Sequence, residues 1–411
     1  MEKILSFSIA AYNVEKTIEE TLNSLVCDEV TMDCIEALIV DDGSTDNTYN
    51  KVRYYLEKYP DTFKYVKKEN GGHGSTLTYS IQQARGKYLR MLDGDDLVYT
   101  EELSSYVSFL KETDADVIVS PFVEFYDSGE EKCVNRQRIP KGVRLAIEDS
   151  VELQSHEFAY RAELLRDKEI ALEEHCYYTD TEYCFYVTLY ATSIQKYGSP
   201  IYRYRKGVEG QTVSDEGRRK HPDDPQRILF KILGEYNKRS GKEIGIKKKD
   251  LVYNLCHQVM NLQVGNIFMV CDNSEKDKCY KYGLLHDKLL SLNRDYIKSY
   301  CERYYNSDCA IYYMVYRMPK RKQYVLWGCG KCGQIILKLI KELCCTNIIV
   351  TDSNMTRWGE RFCGEMIVSP TEAISSDNMD TIFIVAMKDG IEVKNQLIDW
   401  GVDEERIVSL T

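Results

Sequence analysis

Between residues 5 and 96 the chain alternates between apolar runs of strand length and amphipathic stretches of helical period, and this alternation constrains the fold most. Leu5-Ser6-Phe7-Ser8-Ile9-Ala10 reads as a first strand, followed by a helix from Glu15 to Leu25. Ile35 to Val40 reads as a second strand, which runs into Asp41-Asp42-Gly43-Ser44. Thr45-Asp46-Asn47 then caps a helix reaching about Lys58. Phe63 to Lys67 is a third strand, and Gly71-Gly72-His73-Gly74 leads into a helix from Thr76 to Ala84. Lys87 to Leu92 brings the chain to Asp93-Gly94-Asp95-Asp96. Strands alternating with helices predict a mostly parallel sheet with right-handed crossovers. Ligands of such sheets bind outside the carboxyl ends of the strands. Asp42 and Asp93 both stand at such ends, so the topology aligns them along one crevice.

Three carboxylates within four residues repel one another and raise their own pKa values unless a cation sits among them. A hard divalent ion sharing phosphate oxygens would neutralise them, since Mg²⁺ takes one or two carboxylates plus substrate phosphates. The competing reading is an acidic turn, because Asp and Gly are ordinary turn residues.

The 411 residues suffice for two or three domains with cores of their own. A net charge of −11 argues against nucleic acid as the main partner. No run is long and apolar enough to span a membrane, and Met1 to Ser6 lacks a signal-peptide core. The expected location is therefore cytoplasmic, with association at the inner face of the membrane left open. The 15 cysteines are scattered without a signal sequence, which fits reduced thiols. The 32 tyrosines, many of them after residue 250, suit packing between elements and sugar-binding surfaces alike.

Beyond residue 126 the elements are less regular. Helices are expected around Ala159 to Leu165 and Thr181 to Ala191, and a strand from Ser193 to Tyr204. Residues 216–320 read as helical, and Pro319 to Lys322 as a linker. A new α/β pattern begins at Tyr324-Val325-Leu326-Trp327. There Gly328-Cys329-Gly330-Lys331-Cys332-Gly333 matches G-x-G-x-x-G between a strand and the helix Gln334 to Leu343. Asp352 follows at the spacing of a ribose-binding carboxylate, after the strand Asn347 to Thr351. Thr381 to Ala386 is a further strand. A glycine turn opening a helix can cradle a pyrophosphate. Gly328, Gly330, Gly333 and Asp352 are thus a candidate nucleotide site, weighed against a structural or oligomerising role for this segment.

Taken in series, the N-terminal motifs resemble glycosyltransferase family 2, of the GT-A fold, over about the first 215 residues. Ser8-Ile9-Ala10-Ala11-Tyr12-Asn13 is similar to the family's opening strand and nucleotide cradle. Val40-Asp41-Asp42-Gly43-Ser44-Thr45-Asp46 is similar to its second-strand signature. Asn70-Gly71-Gly72-His73-Gly74 resembles the loop before the donor-site helix. Gly86-Lys87-Tyr88 through Asp96 resembles the approach to its D-x-D motif. Tyr178-Thr179-Asp180-Thr181-Glu182-Tyr183 resembles the E-D-x-x-F segment, with Thr179 for the glutamate and Tyr183 for the phenylalanine. Ile201 to Arg205 resembles the strand that closes the domain.

The resemblance and the patterns that follow it together give an expected α/β organisation of three parts. These are a GT-A nucleotide-diphospho-sugar transferase domain over 1–215, a helical region over 216–320, and a small Rossmann-like α/β domain over 323–411. The resemblance implies a metal-dependent, inverting glycosyltransferase that moves a sugar from a UDP-sugar donor to a glycan or lipid-linked acceptor, a cell-surface precursor. Mn²⁺ or Mg²⁺ would be the cofactor, with Asp95 as ligand and Asp93 shared between ribose and metal. Ala10, Tyr12, Asn13, Asp42, Gly72, Asp93, Gly94 and Asp95 would bind the nucleotide-sugar, with Tyr12 stacking on the base and Asp42 hydrogen-bonding it. Asp180 is the candidate general base that takes the acceptor's proton, with Glu182 as rival because Thr179 unsettles the register. His73, Arg203, Arg205, Lys206 and Gln211 could meet the phosphates; His156 and His175 could line the acceptor side but, as lone histidines, are left out of the site. Two rival functions stand beside this one: a non-catalytic nucleotide-sugar sensor or scaffold, and a sugar nucleotidyltransferase. The second ranks lower because no basic residue follows the first strand until Lys16.

Overall fold

All seven residues of β1 (Leu5–Ala11) except Ala10 are buried, as a strand covered on both faces requires. β2 (Ile35–Asp41), β3 (Phe63–Lys67) and β4 (Tyr88–Asp93) join it in the order β3-β2-β1-β4, every pair parallel. The register sets Ala10 opposite Val40 on one side and Asp93 on the other. Helices Ile18–Ser24, Glu29–Cys34, Thr48–Lys58 and His73–Gln83 lie between these strands in the chain. Phe7, Ile9, Ile18, Leu22, Ile39, Val52 and Leu92 form part of one core with under 1% exposure each. The structure, a computed structural model, describes residues 2–207, 215–239, 246–304, 307–318, 321, 323–343, 347–387 and 390–409. Most of the expected linker at 319–322 and Gln211 lie outside them.

After β4 the sheet changes character. The following strands are β5 (Leu97–Val98), β6 (Val117–Val119), β7 (Phe122–Tyr126), β8 (Glu131–Val134), β9 (Arg144–Ala146), β10 (Phe158–Arg161), β11 (Ser193–Lys196) and β12 (Tyr202–Lys206). The main sheet runs β3-β2-β1-β4-β10-β6-β11-β9, with β10 antiparallel to both neighbours. A second sheet runs β5-β12-β7-β8.

Two expectations are corrected here. The helix predicted around Ala159 to Leu165 is instead β10 followed by the single turn Glu163–Arg166. Phe158, Ala159 and Tyr160 are fully buried in a strand paired with β4 and β6, so tertiary pairing overrode the local pattern. The single strand predicted from Ser193 to Tyr204 is two strands in different sheets, parted at Gly198-Ser199-Pro200. Proline has no N–H to give a ladder there.

The chain divides into two compact units, Met1–Gln263 and Val264–Thr411. Helices Thr179–Tyr190, Asp215–Lys220, Asp224–Arg239 and nearly all of Ile246–Gly265 belong to the first, so the helical stretch is shared between the two units. The second unit holds helices Glu275–Leu292, Arg294–Tyr304 and Ser307–Arg317 ahead of a sheet. Its strands are β13 (Gln323–Trp327), β14 (Asn347–Thr351), β15 (Arg361–Phe362), β16 (Glu365–Val368), β17 (Thr381–Val385) and β18 (Ile407–Ser409). They run β15-β16-β14-β13-β17-β18, all parallel except β15 with β16. The tyrosines of this unit are largely interior: Tyr282 and Tyr296 are fully buried, and the Tyr316 ring covers Gly283 so closely that a Cβ there would lie 2.1 Å from it.

Candidate active site

The turns that follow β1 and β2 are stitched together. Asn13 takes a positive φ of 54°, which asparagine tolerates better than most residues. Its N–H donates to Ser44 Oγ at 3.0 Å, and Thr45 N–H donates to its Oδ1 at 2.8 Å. Val14 and Glu15 N–H groups reach Thr48 Oγ1 and Asp46 Oδ2, both at 3.0 Å. Asn13 therefore shapes the turn, and its neighbour Tyr12 is left 52% exposed.

Asp42 is almost wholly engaged. Lys68 Nζ and Gly71 N–H donate to Oδ1 at 2.9 Å each, Gly72 N–H donates to Oδ2 at 2.7 Å, and Ser75 Oγ lies 3.3 Å from Oδ1. Oδ1 is thus taken up by the loop, whereas Oδ2 accepts from Gly72 N–H and keeps a lone pair for the base contact expected of Asp42. Gly72, at φ 81°, packs on the backbone of His175, and a Cβ on Gly74 would lie 2.1 Å from Glu173 O. The loop is thus wedged between Asp42 and residues 173–176, and Gly72 shapes this wedge.

The acidic motif folds back on itself, with Asp96 N–H donating to Asp93 O at 3.1 Å. Gly94 N–H donates to Ala10 O at 3.1 Å, and a Cβ on Gly94 would lie 2.8 Å from that oxygen. The three carboxylates thereby part company. Asp93 Oδ1 lies 3.4 Å from His73 Nε2, at the first residue of helix His73–Gln83. Burial opposes ionisation of Asp93, but the bond and charge of His73 outweigh it and hold the carboxyl below its usual range. Asp96, 1% exposed, accepts from Tyr202 Oη at 2.6 Å and Arg205 N–H at 2.7 Å. Burial, then the charges of Asp93 and Asp95, push it well above the usual range. Burial and the Asp93 charge raise Asp95 to about 6.

Among the described residues, Asp93, Asp96 and His156 bring one ligand atom each to within 4.8 Å of one another. Asp95, the ligand expected first, stands outside this group, because the turn carries Asp96 back toward Asp93. His156 stacks on Tyr204 at 4.2 Å, and Arg90, fully buried on β4, donates to its carbonyl at 2.7 Å. Burial lowers the His156 pKa, favouring the neutral imidazole that binds metals. Two carboxylates and an imidazole are a fitting donor set for Mn²⁺, and each Asp96 oxygen keeps a lone pair. The sequence offered His156 only for the acceptor side, and nothing in it pointed to a place beside Asp93 and Asp96.

Helix Thr179–Tyr190 separates the two candidate bases. Glu182, 0% exposed, accepts from Glu173 N–H at 2.8 Å and pairs with Lys231 at 2.9 Å. Asp180 lines a cleft with His156, Thr181 and Tyr204. Thr179 meets His73 Nδ1 at 3.3 Å, so the substituted glutamate position joins the glycine loop to this helix.

The basic strand end is paired internally. Arg205 donates to Glu20 at 2.5 Å, Asp127 at 2.6 Å and Asp95 O at 2.9 Å. Arg203 pairs with Glu131, and Lys206 lies 3.6 Å from Glu124. His175 is exposed and takes φ 47°.

In the second unit, Gly328 has φ 113°, and a Cβ on Gly333 would lie 2.0 Å from Gly328 O. Asp352 Oδ2 accepts from Cys329 N–H at 2.9 Å and lies 3.4 Å from Arg357. Its Oδ1 accepts from Asn354 N–H at 2.9 Å. A Cβ on Gly330 would meet nothing within 4 Å among the described residues.

Residues 6–169 match the family model Glycosyl transferase family 2. This part of the chain is similar to glycosyltransferase family 2 domains. Residues 320–408 match a second model, C2185-like, N-terminal. The chain is similar to the minor teichoic acid biosynthesis protein GgaB of Bacillus subtilis, 32% identical over 112 residues, 27% of this chain and 12% of the relative. It is also similar to the poly(ribitol-phosphate) beta-N-acetylglucosaminyltransferase TarS of Staphylococcus aureus, 27% identical over 210 residues, 51% of this chain and 36% of TarS. The matches thus span well under half the length of these relatives. The crystal structure of S. aureus TarS 1–349 in complex with UDP-GlcNAc superposes with a TM-score of 0.55 at 20% identity, covering 76% of this chain and 84% of that one. The fold is accordingly a mixed α/β fold of GT-A type, as that neighbour has. Among the described residues no helix is long and apolar enough to cross a membrane.

Proposed function

We propose that this protein is a metal-dependent, inverting glycosyltransferase that moves a sugar from a UDP-sugar to a hydroxyl of a cell-surface glycan or polyol-phosphate precursor. The observation that carries this reading is the convergence of Asp93, Asp96 and His156 beside a cleft that holds Asp180. UDP-GlcNAc in the TarS structure and the teichoic-acid names of the relatives support the donor and acceptor classes. Exposed Tyr12 offers a face for the uracil ring, at the rim formed by Ala10 and Asn13. Asp42 and Gly72 hold the loop that presents His73 to Asp93. Mg²⁺ or Mn²⁺, when bound, supplies Lewis-acid stabilisation of the departing diphosphate. Asp93 and Asp96, with His156, would hold it, and Asp95 is close enough in the chain to join through phosphate or water. Asp180 accepts the acceptor hydroxyl's proton as its oxygen attacks the anomeric carbon. One displacement inverts that carbon. We assign the work to the cytoplasmic side of the membrane.

We further propose that residues 323–411 are a Rossmann-like module whose turn Gly328, Gly330 and Gly333, with Asp352, meets a nucleotide. The parallel order of β13, β14, β16, β17 and β18 supports the module, and Asp352 Oδ1, which accepts from Asn354 N–H, keeps a lone pair for a ribose hydroxyl.

Release of UDP from a panel of UDP-sugars, with Mn²⁺ and with poly(ribitol phosphate) or glycan acceptors, tests the main reading. Product with the opposite anomeric configuration is expected, and binding of UDP without any turnover would leave a sensor instead. Melting shifts of the full chain with NAD and with UDP-sugars, compared with those of a Gly330→Trp variant, test the second site.

A further inference from the structure

The cleft beside Asp180 has a far wall built outside the matched glycosyltransferase segment. Its lining includes Leu255 and Gln258, one helical turn apart on helix Ile246–Gly265. His156 belongs both to this cleft and to the group with Asp93 and Asp96, so the cleft borders the acidic cluster. Of the two residues on that helix, Leu255 is 1% exposed and Gln258 is exposed. Gln258 Nε2 donates to Glu152 Oε1 at 3.4 Å, and Arg136 holds that carboxylate at 2.6 Å. This orients the amide and leaves its carbonyl oxygen to accept from a hydroxyl. The lining also includes an aromatic ring, Tyr204, and amide and hydroxyl groups, Gln154 and Thr181. Rings that cover C–H faces and amides that meet O–H groups suit a chain of polyhydroxylated units. A lipid tail would leave these polar groups without partners.

We propose that this cleft is the acceptor subsite, and that helix Ile246–Gly265, through Gln258, selects the acceptor as a hydroxyl-rich chain. The inference rests on the donor reading above. A chain seated in the cleft presents one hydroxyl to Asp180 at the end nearest the acidic cluster. Its next unit lies against Gln258, so the helix reads what flanks the reacting residue.

The test compares Gln258→Ala and Gln258→Trp in the full chain, using UDP-GlcNAc and Mn²⁺ with two acceptor arms, a poly(ribitol phosphate) oligomer and an uncharged N-acetylhexosamine oligomer. Gln258 is exposed, so both variants should fold, and melting temperatures check this. The expected result is a rise in acceptor KM of at least fivefold for Gln258→Ala and more for Gln258→Trp. The donor KM and the slow hydrolysis of UDP-GlcNAc without acceptor should stay within twofold. Which arm responds names the source of the hydroxyl-rich chain. An unchanged acceptor KM in both arms for Gln258→Trp overturns the proposal. Failure of the unsubstituted protein to bind UDP overturns the donor reading, and the inference with it.

Discussion

Asp180 and Glu182 stand two residues apart in one helix, and at 3.6 residues per turn that sends them to opposite faces. One lines the cleft and the other is sealed against Lys231. Asp180→Asn should lower transfer by about 100-fold or more, the usual contribution of a positioned base. UDP and Mn²⁺ affinities, read by calorimetry, should be unchanged. If that variant turns over normally and Glu182→Gln does not, the roles are reversed. His156→Phe keeps an aromatic ring against Tyr204 and removes the nitrogen. It should weaken Mn²⁺ binding in the presence of UDP by at least about tenfold, near 1.4 kcal/mol, with little change in melting temperature. Unaltered Mn²⁺ affinity would remove His156 from the ligand set. The aspartates were legible in the sequence because carboxylates cluster at strand ends in a recognisable series. His156 was not, because its position depends on Arg90, Tyr204 and β10 meeting in space.

At the scale of elements, helix Asp224–Arg239 acts as an outer clamp on the segment that carries Asp180. Lys231 pairs with buried Glu182 and donates to Ala171 O at 2.8 Å. Arg227 pairs with Glu173 at 2.7 Å, and Asp224 Oδ2 accepts from Tyr177 N–H at 2.8 Å. Lys248, from the next helix, donates to Leu189 O and Ala191 O at the C-terminal end of helix Thr179–Tyr190, where a cation also favours the dipole. Lys231→Met would strand a carboxylate with 0% exposure, which typically costs about 3–5 kcal/mol. Urea unfolding should report that loss, and Lys231→Met combined with Glu182→Leu should recover most of it. No recovery would mean that the charge pair is not the reason for the loss. The helices themselves were readable from periodicity, but the ion pairs that join them were not, since partners 49 or more residues apart leave no local pattern.

At the scale of the molecule, two compact units with separate sheets should answer to different perturbations. A Cβ at position 333 would sit 2.0 Å from Gly328 O, so Gly333→Ala should disturb the second unit. Calorimetry of the full chain should show one transition lowered, while UDP still raises the other. A loss of UDP binding in that variant would show that the units do not respond separately. The boundary at 263/264 had no signal in composition, because helix Ile246–Gly265 runs across it without a break in pattern.

The sequence by itself determined the parallel strands β1 to β4, the carboxylates at their ends and the glycine turns, because these follow from local period, turn chemistry and a short motif series. Only the tertiary structure decided which oxygens remain free. Asp42 Oδ1 is spent on its loop while Oδ2 keeps a lone pair, Arg205 is spent on Glu20 and Asp127, and Glu182 on Lys231. Asp93 and Asp96 instead meet a histidine more than fifty residues away in the chain. A side chain's chemistry is written in its type, but its availability depends on every partner that folding brings within hydrogen-bond reach.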